Sequence, residues 1–296
     1  MRIDLPDRSL HLDYQLTGPE GAPVLVLIMG LGMQRVAWPP ELLDGLVASG
    51  LRVLSFDNRD IGESGSGAVG SGMPVARAFM RYLLHRPVPA PYTLIDMAQD
   101  TLALCDALGI ERFHVAGISM GGMIAQELCL LAPARVRSLV SMSSSAGPRA
   151  APFPEWRVLR RMLRAPDTRS SHQQRLDHFL ALFTALGRHQ APVEIERLRH
   201  GLDQALRRAY RPQGTLRQLL AIVSDPDRRA RLRALRTPTL ILHGAADPLV
   251  PVAAAQQLAA AIPAAKVQII DGLGHDLPAW WMPQLVQTLA GWIQAH

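Results

Sequence analysis

The chain has 296 residues, of which 48% are hydrophobic and 19% charged, and its formal net charge is +6. This length allows one large α/β domain or a core with a smaller appendage, and the composition is that of a well-buried globular protein. The longest apolar run, residues 23–33, is too short and glycine-rich to cross a bilayer, and the N-terminus lacks the apolar stretch of an export signal. We therefore expect a soluble, cytoplasmic protein.

The first part of the chain alternates between strand and helix patterns. Residues 10–16 alternate apolar and polar side chains, whereas residues 24–29 form a continuous apolar run typical of a strand buried on both faces. Residues 57–72 are rich in glycine and serine and predict a loop, in which Arg59 and Asp60 have a stabilising role. Strands are predicted over 10–16, 24–29, 52–56, 113–116 and 136–142. Helices are predicted over 39–49, over 93–108 and from about Met120. Thr93 and Asp96 form the predicted N-terminal cap of the second helix.

The alternation breaks at residues 143–148, and only helical periodicity follows until about Arg236. Alternating strands and helices elsewhere predict a mostly parallel sheet with helices on both faces, the α/β fold class. After the break, strands are predicted over 239–243 and 266–270, a helix over 252–261, and a last helix that runs to the C-terminus.

These patterns divide the chain into a core and an insertion. We expect residues 1–145 and 237–296 to form one α/β core, and residues 146–236 to form a helical cap. Because ligands of parallel sheets bind beyond the carboxyl ends of the strands, a cap over those ends would exclude water and shape a substrate cavity. Candidates to face that cavity, which helix packing explains equally well, are Phe153, Trp156, Phe179, Leu182 and Phe183.

The positive charge is concentrated in the predicted cap. Lys266 is the single lysine, and residues 149–236 hold 19 arginines against 8 acidic residues. A surface that binds nucleic acid is one interpretation. The arginines, however, are scattered at helical spacing among leucines and glutamates, without interleaved aromatic residues. We favour a solvated helical face and expect no nucleic-acid partner.

The sequence contains no pattern typical of a metal or cofactor site. Cys105 and Cys129 fall at helical positions among apolar neighbours, which indicates two buried thiols rather than a disulfide. Gly30 and Gly32 follow a strand, but the third glycine and the acidic residue of a dinucleotide site are lacking. We predict no cofactor and no metal.

The most specific pattern lies within residues 111–126. An apolar strand runs into Gly117-Ile118-Ser119-Met120-Gly121 and a helical pattern follows at once, which is the strand–turn–helix context of a nucleophilic serine. The two glycines stand where side chains would collide across a sharp turn. The start of the helix directs free backbone N–H groups to the same spot, which suits a developing oxyanion.

Two further residues complete a serine hydrolase pattern. A serine hydroxyl needs a base, and the base needs an acid that orients it. Asp247 and His275 each lie in a loop at the carboxyl end of a predicted strand, in the order Ser, Asp, His. Asp247 precedes Pro248, and an alternative is that it is only a turn residue. No other acidic residue, however, is as well placed to orient the histidine. Asp276 adjoins His275 in sequence, which makes it a poor orienting group.

On these segments the sequence resembles the α/β-hydrolase family over nearly its whole length. The resemblance rests on GISMGG at 117–122, HGAADPLVP at 243–251 and GLGH at 272–275. Within the family, residues 27–32, 37–39 and 56–64 are similar to those of cap-bearing esterases of the aclacinomycin methylesterase type.

The resemblance implies a role for each residue of the pattern. Ser119 would attack the carbonyl carbon, His275 would take its proton and later activate water, and Asp247 would orient the imidazole. Backbone N–H groups of Leu31 and Met120 would form the oxyanion hole.

The residues around the serine turn are candidates for the substrate pocket. Many relatives have a histidine at the position of Met29. Because the oxyanion donor is a backbone group, the hole does not depend on that side chain. By their place around the turn, the candidate pocket residues are Met29, Met33 and Trp38.

The sequence therefore predicts a carboxylesterase that acts on a small to medium, largely apolar ester. The same triad supports carbon–carbon bond, lactone or amide hydrolysis and cofactor-free perhydrolysis, and a ligand-binding receptor on this fold is the non-enzymatic alternative. Ser119 argues against epoxide hydrolases and haloalkane dehalogenases, which use an aspartate at this position. We expect a small-molecule ester as partner and a monomer or homodimer.

Overall fold

Eight strands form one sheet in the computed structural model, which describes residues 1–67, 70, 72–188 and 191–296. The strands are β1 (Arg2–Leu5), β2 (Leu10–Thr17), β3 (Val24–Ile28), β4 (Arg52–Phe56), β5 (Phe113–Ile118), β6 (Val136–Met142), β7 (Thr239–Gly244) and β8 (Lys266–Ile270). Their order is β1-β2-β4-β3-β5-β6-β7-β8. The pairs β1–β2 and β2–β4 are antiparallel, and all later pairs are parallel. The predicted α/β class is confirmed.

Within the described residues, six α-helices belong to the alternating part of the chain, and five lie between β6 and β7. The first group comprises α1 (Pro40–Ala48), α2 (Val75–Leu83), α3 (Leu94–Ala107), α4 (Met120–Leu131), α10 (Ala253–Ala261) and α11 (Met282–Gln294). The second group comprises α5 (Trp156–Met162), α6 (His172–Gly187), α7 (Pro192–Arg208), α8 (Pro212–Ser224) and α9 (Arg229–Leu232).

The predicted elements are present, and one strand and one α-helix outside the inserted residues were not predicted. The Thr93–Asp96 capping box is confirmed, since the Thr93 hydroxyl accepts from the Asp96 N–H and the Asp96 carboxylate accepts from the Thr93 N–H. The additional elements are β1 and α2. Part of the predicted loop, residues 68, 69 and 71, lies outside the described residues.

Alternate residues of β3 show how the sheet is buried on both faces. Val26 and Ile28 belong to the hydrophobic cluster that contains α3, α4 and α10. Leu25 and Leu27 belong to the cluster that contains α1 and α11. The apolar run that predicted this strand is therefore explained by helices on either side of it. No helix in the described ranges is long and apolar enough to cross a bilayer.

Both cysteines are buried free thiols, as predicted. Burial raises the pKa of Cys105 and of Cys129 to about 12. Neither thiol therefore offers a thiolate at neutral pH, and each packs as a small apolar side chain.

Arginines attach residues 146–236, hereafter the inserted segment, to the rest of the molecule. Arg208 of α7 lies 2.7 Å from the Asp57 carboxylate and 2.5 Å from that of Asp13. Arg217 of α8 lies 2.6 Å from the Asp60 carboxylate. Because the Arg208 side chain is only 15% exposed, the expected solvated face does not describe these arginines. They are interface residues.

A buried arginine near the C-terminal end of the inserted segment attaches it to the core. Arg228 is fully buried, pairs with Asp225, and donates to Gln126 Oε1 at 3.1 Å and to the Ser145 carbonyl at 3.0 Å. Burial raises the pKa of Asp225 to about 6, although Arg228 opposes that rise. Since Gln126 lies on α4 and Ser145 follows β6, one guanidinium connects both ends of the inserted segment to the core.

We predict that Arg228→Leu lowers the free energy of unfolding by about 3–5 kcal/mol, because it leaves the buried Asp225 carboxylate without its partner. Chemical denaturation measures the loss. The matched control is Arg229→Leu, which removes an exposed pair with Asp227 and leaves stability nearly unchanged. Equal stability of the two variants would contradict the assigned role of Arg228.

Candidate active site

Ser119 occupies a strained turn between β5 and α4. Its φ of 56° and ψ of −120° lie outside the regions that a residue with a side chain normally adopts. Two hydrogen bonds hold the turn: the Ser119 N–H donates to the Met142 carbonyl at 2.9 Å, and the Ser144 hydroxyl donates to the Ser119 carbonyl at 2.8 Å. The strained conformation predicted for this residue is present.

The glycines around Ser119 allow three backbone segments to meet. A Cβ on Gly121 would collide with the Ile28 carbonyl, and one on Gly117 would collide with the backbone of Gly121. A Cβ on Gly30 would lie 3.3 Å from the Ser119 Cβ. The loop that follows β3 therefore lies directly against the serine, which only small residues permit.

Asp247 and His275 form a hydrogen-bonded pair at the same edge of the sheet. Their side chains come from the loops that follow β7 and β8, and His275 Nδ1 lies 2.6 Å from Asp247 Oδ2. The second carboxylate oxygen, Oδ1, accepts from the backbone N–H groups of Leu249 at 2.9 Å and Val250 at 2.8 Å. Because the carboxylate accepts hydrogen bonds only, the proton of this contact lies on Nδ1, which leaves Nε2 as the basic nitrogen.

A second histidine lies behind the Asp247 carboxylate. His243 Nε2 contacts the Val250 carbonyl at 2.7 Å and lies 3.6 Å from Asp247 Oδ2. Burial lowers the pKa of His243, although the Val250 carbonyl and the Asp247 charge oppose that change. A neutral imidazole that donates to Val250 fixes the loop whose N–H groups bind Asp247. His243 thus has a structural role in this geometry.

The two predicted oxyanion donors are available. Met120 is the first residue of α4, so its N–H has no partner within the helix. In the described part of the chain, no hydrogen bond uses the backbone N–H of Leu31 or of Met120. The donor groups proposed from the sequence therefore remain free.

Gln218 holds the loop that carries Leu31, and sequence reasoning missed it. This side chain of α8 is fully buried; its Oε1 accepts from the Gly32 N–H at 2.9 Å and its Nε2 donates to the Arg59 carbonyl at 2.9 Å. The contact with Gly32 spans 186 positions of sequence. No local pattern identifies such a residue, since one glutamine on a helix is indistinguishable from a solvated one.

The predicted role of Arg59 and Asp60 is confirmed by their contacts. Arg59 pairs with Asp100, and Asp60 accepts from Tyr92 at 2.7 Å and from Arg217 at 2.8 Å. Burial alone would raise the pKa of Asp60, but the hydrogen bonds that it accepts hold it below the usual value. The carboxylate is therefore charged at neutral pH and stabilises its loop.

The inserted segment contacts the Asp247 and His275 loops directly. The His275 N–H donates to the Leu186 carbonyl at 2.8 Å, at the C-terminal end of α6. Arg188 donates to the Ala246 carbonyl at 2.8 Å. Leu249 packs against apolar side chains of α5 and α6. Residues of the insertion thus fix both loops.

The candidate pocket residues differ in burial. Met29 and Trp38 are buried in the hydrophobic cluster beneath α1 and α11, and Met33 is half-buried against it. This position gives Met29 and Trp38 a packing role, and a substrate contact stays a prediction for all three. Of the candidates in the inserted segment, Phe179, Leu182 and Phe183 pack among its helices, whereas Phe153 and Trp156 are exposed.

Comparison with known proteins agrees with this architecture. The family model of the α/β hydrolase fold matches residues 23–280. The chain is 28% identical to rhodomycin D methylesterase DnrP of Streptomyces peucetius, over 95% of this chain and 92% of that protein. It is also 28% identical to the putative carbamate hydrolase RutD of Variovorax paradoxus, over 90% of each chain.

A solved structure shows the same fold. The enol-lactonase from Burkholderia xenovorans LB400 superposes with a TM-score of 0.73 at 22% identity, over 96% of this chain and 97% of that one. The strand order, the strained serine turn and the family match lead to one conclusion. The chain belongs to the α/β hydrolase fold family.

Proposed function

We propose that the protein is a carboxylesterase that cleaves small to medium, largely apolar esters through an acyl intermediate on Ser119. The observation that carries the proposal is the 2.6 Å contact between His275 and Asp247, at the sheet edge where the strained turn presents the serine. The family and the likeness to a methylesterase support a reaction at an ester carbonyl.

Acylation begins with the Ser119 hydroxyl. Its oxygen attacks the ester carbonyl carbon while His275 Nε2 takes the hydroxyl proton. The bound Asp247 carboxylate stabilises the imidazolium that forms and keeps its orientation. When the tetrahedral intermediate collapses, the carbon–oxygen bond to the alcohol breaks and the imidazolium gives the leaving alkoxide its proton. The acyl group remains on Ser119.

Deacylation repeats these steps with water. His275 takes a proton from a water molecule, which attacks the acyl carbon. The second tetrahedral intermediate releases the carboxylic acid, and Ser119 recovers its proton from His275. The enzyme returns to its starting state without a cofactor or metal.

The oxyanion of each intermediate is bound by the N–H groups of Leu31 and Met120. A donor of this kind contributes about 10²–10³ in rate when it is in place before the charge develops. Gln218 maintains that arrangement, because its bond to Gly32 occupies the neighbouring N–H and fixes the loop. We therefore assign Gln218 as a positioning residue.

The inserted segment acts as a cap in this proposal. Support comes from its contacts with the loops after β3, β4, β7 and β8, all at the carboxyl edge of the sheet. The protein works in the cytoplasm, which two free buried cysteines favour, and it functions as a monomer or homodimer.

A carbamate hydrolase is the second candidate, favoured by the likeness to the putative enzyme RutD. The proposed chemistry is the same except that the acyl carbon carries a nitrogen, so the intermediate is a carbamoyl group on Ser119 and the leaving atom is still oxygen. A panel of p-nitrophenyl esters and carbamates of matched acyl length distinguishes the two. A carbamate turned over more efficiently than every ester would replace the first candidate by the second.

We predict that the protein hydrolyses p-nitrophenyl acetate and butyrate and that a fluorophosphonate probe labels Ser119. Ser119→Ala abolishes labelling and lowers kcat roughly 10⁶-fold, because no other group supplies the nucleophile. Asp247→Asn lowers kcat by about 10⁴-fold, because the amide favours the wrong imidazole tautomer.

Ser170→Ala is the control for both measurements, since this serine lies in an exposed turn of the inserted segment and bonds to Asp167. It keeps full labelling and activity. If the probe does not label the wild-type protein and the protein hydrolyses neither ester above background, the esterase is excluded and a receptor on this fold is favoured.

We predict that Gln218→Leu lowers kcat by about tenfold to a hundredfold while KM changes little, because a displaced donor weakens binding of the oxyanion more than of the ester. Steady-state kinetics on p-nitrophenyl acetate separates the two constants. Gln213→Leu is the matched control, because this glutamine of α8 is exposed. If both variants kept the wild-type kcat, Gln218 would have no positioning role.

A further inference from the structure

Two groups of arginines in the inserted segment have contrasting surroundings. Those of the first group pair with carboxylates of the core, as Arg208 and Arg217 do. Those of the second group lie within residues 149–164 and form no ion pair among the described residues. The second group consists of Arg149, Arg157, Arg160, Arg161 and Arg164.

Helix α5 presents these arginines together with large apolar side chains. Its inner side is fixed by Val158, which is buried against α6. Trp156 is 66% exposed, and Leu163 is also exposed. At helical spacing, Trp156, Arg160 and Leu163 share one side of the helix. The outer side of α5 is therefore both apolar and basic.

Helix α2 continues this surface. The Tyr82 ring lies 6.5 Å from the Phe153 ring, its hydroxyl donates to the Pro148 carbonyl at 2.9 Å, and the Arg149 guanidinium lies 5.0 Å from its centre. A cavity of about 250 Å³ is lined by Leu83, His85 and Phe153 among others. We call residues 77–86 and 149–164 together the arginine–aromatic face.

Several large apolar side chains of the face are exposed. Phe153 is 57% and Leu84 is 56% exposed, and Met80 and Leu83 are exposed beside them. Contiguous apolar side chains of this size mark an interaction site more often than scattered ones do.

The charge of the face has one sign. The sequence has no acidic residue between Glu63 and Asp96, and Glu155 is the only one between Glu127 and Asp167. Glu155 is itself paired with Arg188. The face therefore carries a positive charge that few acidic residues offset, which favours an anionic partner. Besides the second group, its arginines are Arg77, Arg81 and Arg86.

We propose that the arginine–aromatic face binds an anionic lipid bilayer surface. Arginines meet the phosphate headgroups while Trp156, Phe153 and the aliphatic side chains enter the boundary of the acyl chains. Nucleic acid matches the charge but offers no hydrocarbon to Leu83 or Leu84. A second copy of the chain matches the apolar area, but a symmetric contact would bring the arginines against one another.

The expected binding is peripheral and depends on salt. Each basic residue near an anionic surface adds to the attraction, which falls off within the Debye length of about 10 Å at 0.1 M salt. The insertion of a few side chains requires no helix that spans the bilayer. The face would hold the protein where apolar esters partition.

Co-sedimentation of the full chain with large vesicles tests the proposal. We expect binding to vesicles of 70% phosphatidylcholine and 30% phosphatidylglycerol at 50 mM salt, and little binding to pure phosphatidylcholine. Trp156→Ala and the double variant Arg160→Gln/Arg161→Gln each weaken binding about tenfold or more. The fluorescence of the wild-type protein shifts to the blue on binding, and that of Trp156→Ala does not.

Two control variants separate this face from general effects. Trp280→Ala removes another exposed tryptophan, and Arg112→Gln/Arg137→Gln removes exposed arginines before β5 and at the start of β6. Both controls bind like the wild-type protein, and circular dichroism verifies that every variant is folded.

Several outcomes would overturn the proposal. These are the absence of binding to the anionic vesicles, equal binding to both kinds of vesicle, and equal losses in the control variants. Retention of a DNA duplex at the same salt without vesicle binding, or a dimer that Trp156→Ala dissociates, would assign the face to another partner. None of these measurements depends on hydrolytic activity, so they stand apart from the esterase test.

Discussion

The close approach of β3, β5 and the start of α4 is the constraint on which the rest of the site depends. Gly121 brings the first turn of α4 against the carbonyl of Ile28, and Gly117 lets the strand and helix cross without side chains between them. This contact forces Ser119 into a conformation with positive φ. It also aims the free N–H groups at the start of α4 toward the carboxyl edge of the sheet, where the loop of Leu31 meets them.

Charge at that edge explains how the inserted segment is held. Asp57 and Asp60 are fully buried in the loop that follows β4, and carboxylates so placed need partners. Arg208 and Arg217 supply them from α7 and α8, and Gln218 adds hydrogen bonds to two backbone groups of the core. The same helices that neutralise the edge therefore fix the loop that carries Leu31. Arginines of α7 and α8 thus attach the inserted segment to the core, whereas those of residues 149–164 form an exposed basic face.

Local patterns predicted the sheet, the serine turn and the positions of Asp247 and His275, because each is encoded within a few residues. Apolar runs mark β3 and β5, and glycines mark the turn. The helix α2 was not predicted, since its short apolar and basic stretch lies among glycines and prolines. Gln218 and the buried role of Arg228 were beyond local reasoning. Both side chains act through partners that are distant in sequence. Glutamine and arginine are by themselves typical of exposed positions, so the residue type gave no signal.

One backbone hydrogen bond constrains how a substrate reaches the serine. The His275 N–H is bound to the carbonyl of Leu186, so the end of α6 and the histidine form a single mechanical unit. An outward swing of α6 that kept this bond would pull His275, the proposed base, away from Asp247. Substrate access by an opening at α6 would thus conflict with the proposed role of His275. A route that leaves this contact in place would let a substrate bind while His275 stays paired with Asp247.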